Sequence, residues 1–386
     1  MQQEGKLSLT VLDRSVKKCL TPRRNDLLLG AFAGRDHSTA GDLCFVTQSS
    51  VLYRANDAVT EKLVKALVHR VANDLYTAGN IRLMTAQAAL TLPAEGFSEQ
   101  ELKSLIRILS REQAGIGADL SGGHTMRSAE VTSPILSLTM LGRKENTRSA
   151  EDSFAPESDE KDIEKTQEGC PNTGYAHASN DRKALDLILA GRIAGSGTGI
   201  LAALSENPEG AKLASRYTAD FISGAEAQDG LWSVKEAADQ ALDHAKAHEG
   251  VLSLHNLSEG GVFDGLWEFG ERLGSGMNVD LRRIPISQET VELSEFFGVH
   301  PYRLYSTGAL LIACTDGEAL TEKLQEAGIF AALIGVTTPG EKARVFRNEE
   351  ETRYMEKPQG EELWPLLQAI ARKNLHSTGD CDKIRV

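Results

Sequence analysis

The stretch Leu252 to Phe269, LSLHNLSEGGVFDGLWEF, constrains this chain more than any other. It opens as a short apolar run suited to a buried strand. It then turns through Ser258-Glu259-Gly260-Gly261 and continues as a helix with Val262, Leu266 and Phe269 on one face. Paired glycines at such a corner let backbone N–H groups approach a ligand or a crossing strand, because no Cβ stands in the way. A strand, a tight polar turn and a helix inside one short segment call for a layered fold of sheets and helices.

The 386 residues are enough for two domains, and 41% hydrophobic with 25% charged residues is a composition able to bury a core. No run reaches the roughly 18 apolar residues of a membrane span. The first residues, MQQEGKLSLT, lack the basic and apolar regions of a signal peptide, so a cytoplasmic protein without a membrane partner is expected. A net charge of −13 argues against nucleic acid as a main partner, because a phosphate backbone needs a basic face. It leaves a nucleotide ligand open, since Mg²⁺ and backbone amides can hold phosphates locally. The five cysteines are far apart and show no CxxC spacing, which supports neither a disulfide framework nor a zinc site.

Strands and helices alternate up to about residue 142. A helical segment is expected over Leu7 to Leu20, a strand over Leu43 to Leu52, and a helix over Ala58 to Ala78, where Val59, Leu63, Leu67, Val71 and Leu75 step by four. A strand over Arg82 to Leu92 follows. Ser98 and Glu101 form a capping-box pattern for the next helix, and a further strand spans Ser133 to Leu141. Residues 143–181, which include SAEDSFAPESDEKDIEKTQEG, are acidic and poor in large apolar residues, as expected of a linker or insertion. The alternation resumes over 182–375 and ends in a polar tail, 376–386, that carries Cys381. Residues 1–142 and 182–375 are thus expected as two domains.

Three glycine-containing turns are expected after strands: Gly122-Gly123-His124-Thr125, Gly195 to Gly199, and Ser258 to Gly261. The second has neither the Gly-Lys-Ser/Thr of a phosphate loop nor the third-glycine spacing of a dinucleotide site. Together with their neighbours, however, the turns resemble the aminoimidazole ribonucleotide synthetase superfamily, which also contains selenophosphate synthetase, thiamine monophosphate kinase, the carbamoyl dehydratase of hydrogenase maturation and formylglycinamidine ribonucleotide amidotransferase. His255-Asn256-Leu257-Ser258-Glu259-Gly260-Gly261 is similar to the family's HD-x-S-[ED]-G-G turn, and Tyr305 to Leu311 to the strand that follows it. Ala72-Asn73-Asp74-Leu75 with Ala78-Gly79 is similar to its V-N-D-L-x-x-x-G helix end, and Gly122 to Thr125 to the GGHT of selenophosphate synthetase. The resemblance implies a two-domain α+β/α/β fold, with an N-terminal, strand-rich domain for dimerisation and ATP binding and a C-terminal α/β domain covering the cleft. It also implies ATP and Mg²⁺ as cofactors, a homodimer, and phosphoryl transfer to a small-molecule or protein-bound acceptor.

The sequence departs from this family where the metal belongs. The family's G-x-G-D-D-A-A is reduced to Gly34-Arg35-Asp36-His37-Ser38-Thr39-Ala40, its T-T-D strand motif reads Val46-Thr47-Gln48, and the HD of the turn reads His255-Asn256. Asp36 and Asp74 remain as candidate metal ligands. Arg35, His37, Gln48, Asn73, Gly122, Gly123, His124 and Thr125 are candidates for nucleotide binding, with Arg35 and His37 able to meet phosphate in place of metal. Two readings stand open: an ATP-dependent enzyme nearest the hydrogenase-maturation or selenophosphate branches, and a catalytically degenerate relative that binds a nucleotide or a protein. Cys381 echoes the reactive tail cysteine of the first branch, though five residues follow it, and Lys18-Cys19 is a faint echo of the second.

Overall fold

The computed structural model describes residues 5–20, 27–28, 34–145, 183–205, 232–248 and 250–381. The expected acidic linker lies, from residue 146 on, outside the described residues, as do Gly30 to Ala33 of the small-residue loop. The segment read as one amphipathic helix, Leu7 to Leu20, is instead a single turn, α1 (Leu9–Val11), followed by π and 3-10 turns. None of its helical residues is buried in α1, so no packed face stabilises a longer helix.

The first half forms a six-stranded sheet of β1 (Leu27–Leu28), β2 (Ser38–Ala40), β3 (Leu43–Val51), β4 (Ile81–Pro93), β5 (Asp119–Ser128) and β6 (Ile135–Lys144), ordered β1-β2-β3-β6-β4-β5. Helix α2 (Asp57–Tyr76) follows β3 and α3 (Glu99–Gly115) follows β4, both on one face. The side chain of Asn56 caps α2 by accepting from Val59 N at 2.7 Å, and Ser98 with Glu101 closes the capping box of α3. Among the described residues, no helix covers the opposite face of this sheet. Along β3 Cys44 and Val46 are buried, whereas Thr47 and Ser49 are exposed and bond the β6 hydroxyls of Thr139 and Ser137 at 2.9 and 2.7 Å.

Gly122-Gly123-His124-Thr125 does not form a turn. It lies inside β5, the edge strand, which runs parallel to β4 with Gly123 opposite Ala88. A Cβ on Gly123 would stand 1.7 Å from the Ala88 carbonyl oxygen, so the glycine there allows a close strand approach. The Gly195 to Gly199 segment is likewise not a loop but the first turns of helix α4 (Gly195–Ser205), buried from Ser196 on. A Cβ on Gly197 would meet Leu304 at 2.5 Å, so small residues here admit close packing of α4.

The second half holds a seven-stranded sheet: β7 (Asp186–Ala190), β8 (Leu252–Asn256), β9 (Gly276–Asp280), β10 (Leu310–Cys314), β11 (Ala331–Thr338), β12 (Arg344–Asn348) and β13 (Glu351–Tyr354). Its order is β13-β12-β9-β11-β7-β10-β8, antiparallel except for β12 beside β9. Among the described residues, the helices of this half are α4, α5 (Lys235–Ala247), α6 (Gly261–Leu273), α7 (Gln288–Phe297), α8 (Gly317–Glu326) and α9 (Leu363–Cys381). The central strands are apolar on both faces because each face is covered. Leu187 and Leu189 pack with Val262, Leu266 and Phe269 of α6, while Ile188 and Ala190 join a second core with α4 and α5. That second core runs on into α2 and the first sheet, so the two halves share buried apolar packing.

Candidate functional site

Helix α2 carries a polar stripe in an otherwise apolar interior. Arg70, Asn73, Asp74 and Thr77 stand at i, i+3, i+4 and i+7 across its end, and all four are buried. Burying polar groups together is tolerated only where each finds a partner. Arg70, Asn73 and Asp74 find partners in the second half, Arg70 in the Ser258 to Gly261 turn, Asn73 at Trp232 and Val234, and Asp74 at the end of β8. Arg70 pairs through Nη1 with Oε1 of Glu259, both side chains being buried. The Asn73 amide is taken up by backbone: its Nδ2 donates to Trp232 O at 2.8 Å and its Oδ1 accepts from Val234 N at 3.1 Å.

Asp74 sits at the centre. Gln48 Nε2 donates to its Oδ2 at 2.9 Å and Asn256 Nδ2 donates to its Oδ1 at 2.8 Å. Gln48 reaches it because it shares the helix-facing side of β3 with Cys44 and Val46. Burial and the nearby charge of Asp36 push the Asp74 carboxyl up to about 6, against the pull of Arg70 and the two amides.

Asp36 occupies a second buried position beside it. His255 Nδ1 lies 2.8 Å from its Oδ1, Asn256 N donates to its Oδ2 at 3.2 Å, and Arg272 Nη1 is 3.8 Å away. Burial raises its carboxyl, but His255 and Arg272 more than offset this and hold it below the ordinary aspartate value. His255 also faces Glu268 across 3.8 Å, and Lys6 closes on both oxygens of Glu268 at 2.6 and 2.8 Å. His37 is buried with Nδ1 3.3 Å from Thr77 Oγ1, and Arg35 is half-buried.

The turn that supplies Glu259 is held rigidly. Gly260 and Gly261 have φ of 78° and 63°, the left-handed region, and a Cβ on Gly261 would meet the Tyr302 carbonyl oxygen at 2.5 Å. Glu361 accepts from Gly260 N, Tyr305 N and Leu363 N at 3.0, 3.2 and 3.0 Å, while Asp264 accepts from Gln359 N and Gly360 N.

The structure therefore brings Asp36, His37, Gln48, Asn73 and Asp74 to one junction between the halves. It does not bring Gly122, Gly123, His124 and Thr125 there. Gln48, Leu138, Ala88 and Gly123 form one rank across the sheet, three strand spacings or roughly 14 Å. His124, in rank with Ala89, Ser137 and Ser49, is exposed on the face that lies away from Asp74. Sequence reasoning missed Arg70, Thr77, Glu268, Arg272, Lys6 and Glu361. The spacing Arg70-Asn73-Asp74-Thr77 was the available signal for the first two, a polar face inside a helix whose other faces are apolar.

The resemblance implies Mg²⁺, and the residues at this junction do not fit it. Mg²⁺ needs about six oxygen ligands in near-octahedral array. Here both oxygens of Asp74 face amide N–H groups, and Asp36 is engaged by His255 and the Asn256 N–H. The buried Oδ1 of Asn256, which has no hydrogen-bond partner among the described residues, is a single neutral oxygen. No group of three or more His, Cys, Asp or Glu side chains placed to hold a metal occurs among the described residues.

Comparison with known proteins agrees with the fold. Residues 187–348 match the model of the AIR synthase related protein, C-terminal domain. Over 122 residues the chain is 30% identical to phosphoribosylformylglycinamidine synthase subunit PurL of Corynebacterium aurimucosum, a match that spans 30% of this chain and 15% of that protein. The structure superimposes on one solved as the HypE–HypF complex with a TM-score of 0.62 at 14% identity, covering 90% of this chain and 99% of the other. It superimposes on hydrogenase maturation protein HypE in complex with ATP with a TM-score of 0.56 at 16% identity, covering 94% of each chain. Residues 187–348 thus match an AIR synthase related C-terminal domain, and nearly the whole chain shares its fold with the HypE structures.

Proposed function

We propose that this chain is a nucleotide-binding member of the superfamily that works without a divalent metal, as a binding module and not as a phosphoryl-transfer enzyme. The observation that carries this reading is the Asp74 carboxylate, whose two oxygens are both occupied by the side-chain amides of Gln48 and Asn256. Phosphoryl transfer of the ATP type depends on a cation that neutralises the phosphates and aligns the acceptor. Without that cation the phosphates need fixed positive charge and N–H donors, for which Arg35 and His37 respectively are the candidates beside Asp36. An ATP-bound relative of the same fold supports an ATP-type nucleotide as the ligand.

Calorimetric titration with ATP, in Mg²⁺ and in EDTA, tests this. The expected outcome is equal affinity under the two conditions and no ADP release over hours. Metal-dependent binding with slow ADP release would instead support the second reading, an ATP-dependent enzyme that activates a small-molecule or protein-bound acceptor. The specific observation in favour of that reading is the fold shared with HypE over nearly the whole chain, including the structure solved with HypF, which also makes a protein partner reasonable. No described helix is long and apolar enough to cross a membrane.

A further inference from the structure

The contacts around Asp74 form one system that crosses between the halves. Four polar pairs at the junction have one member in residues 6–74 and the other in the segment from His255 to Arg272: Lys6 with Glu268, Asp36 with His255, Arg70 with Glu259, Asp74 with Asn256. Gln48 adds a second amide to Asp74 from within the first half. Lys6 and Arg70 oppose Glu268 and Glu259, while the neighbouring acids Asp36 and Asp74 are met by His255 and Arg272 and by side-chain amides.

The direction of the hydrogen bonds matters most. An amide that donates through its NH₂ group presents positive hydrogens to Asp74, and those hydrogens occupy the space from which a cation would approach the carboxylate. A carboxylate in place of either amide would repel Asp74 unless a cation lay between them. Gln48 and Asn256 thus achieve by hydrogen bonding what a cation shared by carboxylates achieves by charge. We propose that Gln48, Asp74 and Asn256 form a metal-free latch between the end of α2 and the end of β8, and that changing the two amides to acids converts the latch into a divalent-cation site. Asn256 is the bridging member, since its side chain holds Asp74 while its backbone N–H holds Asp36. The buried Oδ1 of Asn256, which has no hydrogen-bond partner, marks where an added carboxylate would present its second oxygen. The latch rests on the metal-free reading of the site, but it does not require that a nucleotide bind.

The test uses the full chain, with Mn²⁺ as the probe cation. Mn²⁺ uptake is followed by electron paramagnetic resonance and calorimetry, and thermal unfolding is recorded with and without Mn²⁺. Wild type is expected to take up no Mn²⁺ at this site and to show no saturable change in Tm. The Gln48→Asp/Asn256→Asp double variant is expected to unfold about 5 °C lower without metal, to recover with Mn²⁺, and to bind one ion per chain. Wild-type uptake of one Mn²⁺ that Asp74→Asn abolishes would overturn the latch, and so would a folded double variant that gains no Mn²⁺ binding. Because the double variant can fail to fold, Asn256→Ala is measured alongside by amide hydrogen exchange. That variant adds no charge, and exchange is expected to rise at least tenfold both in the last turn of α2 and over residues 252–261. Unchanged exchange in both segments would overturn the latch. Failure of wild type to bind ATP, with these results as expected, would refute the nucleotide reading alone.

Discussion

At the scale of single residues, the interior of this protein is governed by who neutralises each buried acid. Asp36 and Asp74 are neighbours with opposite behaviour. The first is held down by His255 and Arg272, and the second is pushed up to about 6 by burial and by the first. Glu361 is perturbed as well: burial pushes its carboxyl up to about 8, only partly offset by the three backbone N–H groups it accepts. A carboxyl whose folded value lies above its ordinary 4.5 binds its proton more tightly in the folded state. Its contribution to stability is therefore greatest below pH about 4.5, declines as pH rises towards about 8, and is constant above that. Glu361→Gln removes this titration. Urea unfolding of the variant is expected to show a flatter dependence of stability on pH between about 5 and 8 than wild type.

At the scale of elements, the Ser258 to Gly261 turn depends on backbone conformation more than on its polar side chains. Gly261→Ala places a Cβ in the left-handed region and drives it within 2.5 Å of Tyr302 O and 2.9 Å of Leu304 O, neither of which is a flexible side chain. The expected loss is more than about 2 kcal/mol. Gly41→Ala is the matched control, because Gly41 has nearly the same φ, 62°, with nothing within 4 Å of an added Cβ. Only the conformational part, roughly 1 kcal/mol, is expected there. Denaturant unfolding of both variants separates the two effects. The elements also show where local signals suffice. The capping box of α3 and the four-residue step of α2 are written in neighbouring residues and appear as read. Gly122 to Thr125 reads locally as a turn, and only the approach of β4 to β5 explains why glycine stands in a strand.

At the scale of the molecule, α2 and α3 cover one face of the first sheet, and among the described residues no helix covers the other. That other face carries the Thr47–Thr139 and Ser49–Ser137 hydroxyl pairs, with Met126 exposed at 46% on the edge strand. We propose that a second copy of the chain covers it, so sedimentation is expected to give a dimer mass, and Ser137→Arg to give a monomer. The sequence alone determined the rhythm of strands and helices, the tight turn at Ser258 and the family resemblance, because each is a matter of spacing within a few residues. It also marked Gln48 and Asn256 as the places where acids are missing. Only the tertiary structure decided what those amides do. Asn256 lies 182 residues from Asp74 and Glu259 lies 189 from Arg70, and a buried charge is neutralised by whatever packing brings beside it, which no local period records. The Ser258 turn, read first as a corner open to a ligand, is in the folded chain the point where the two halves are joined.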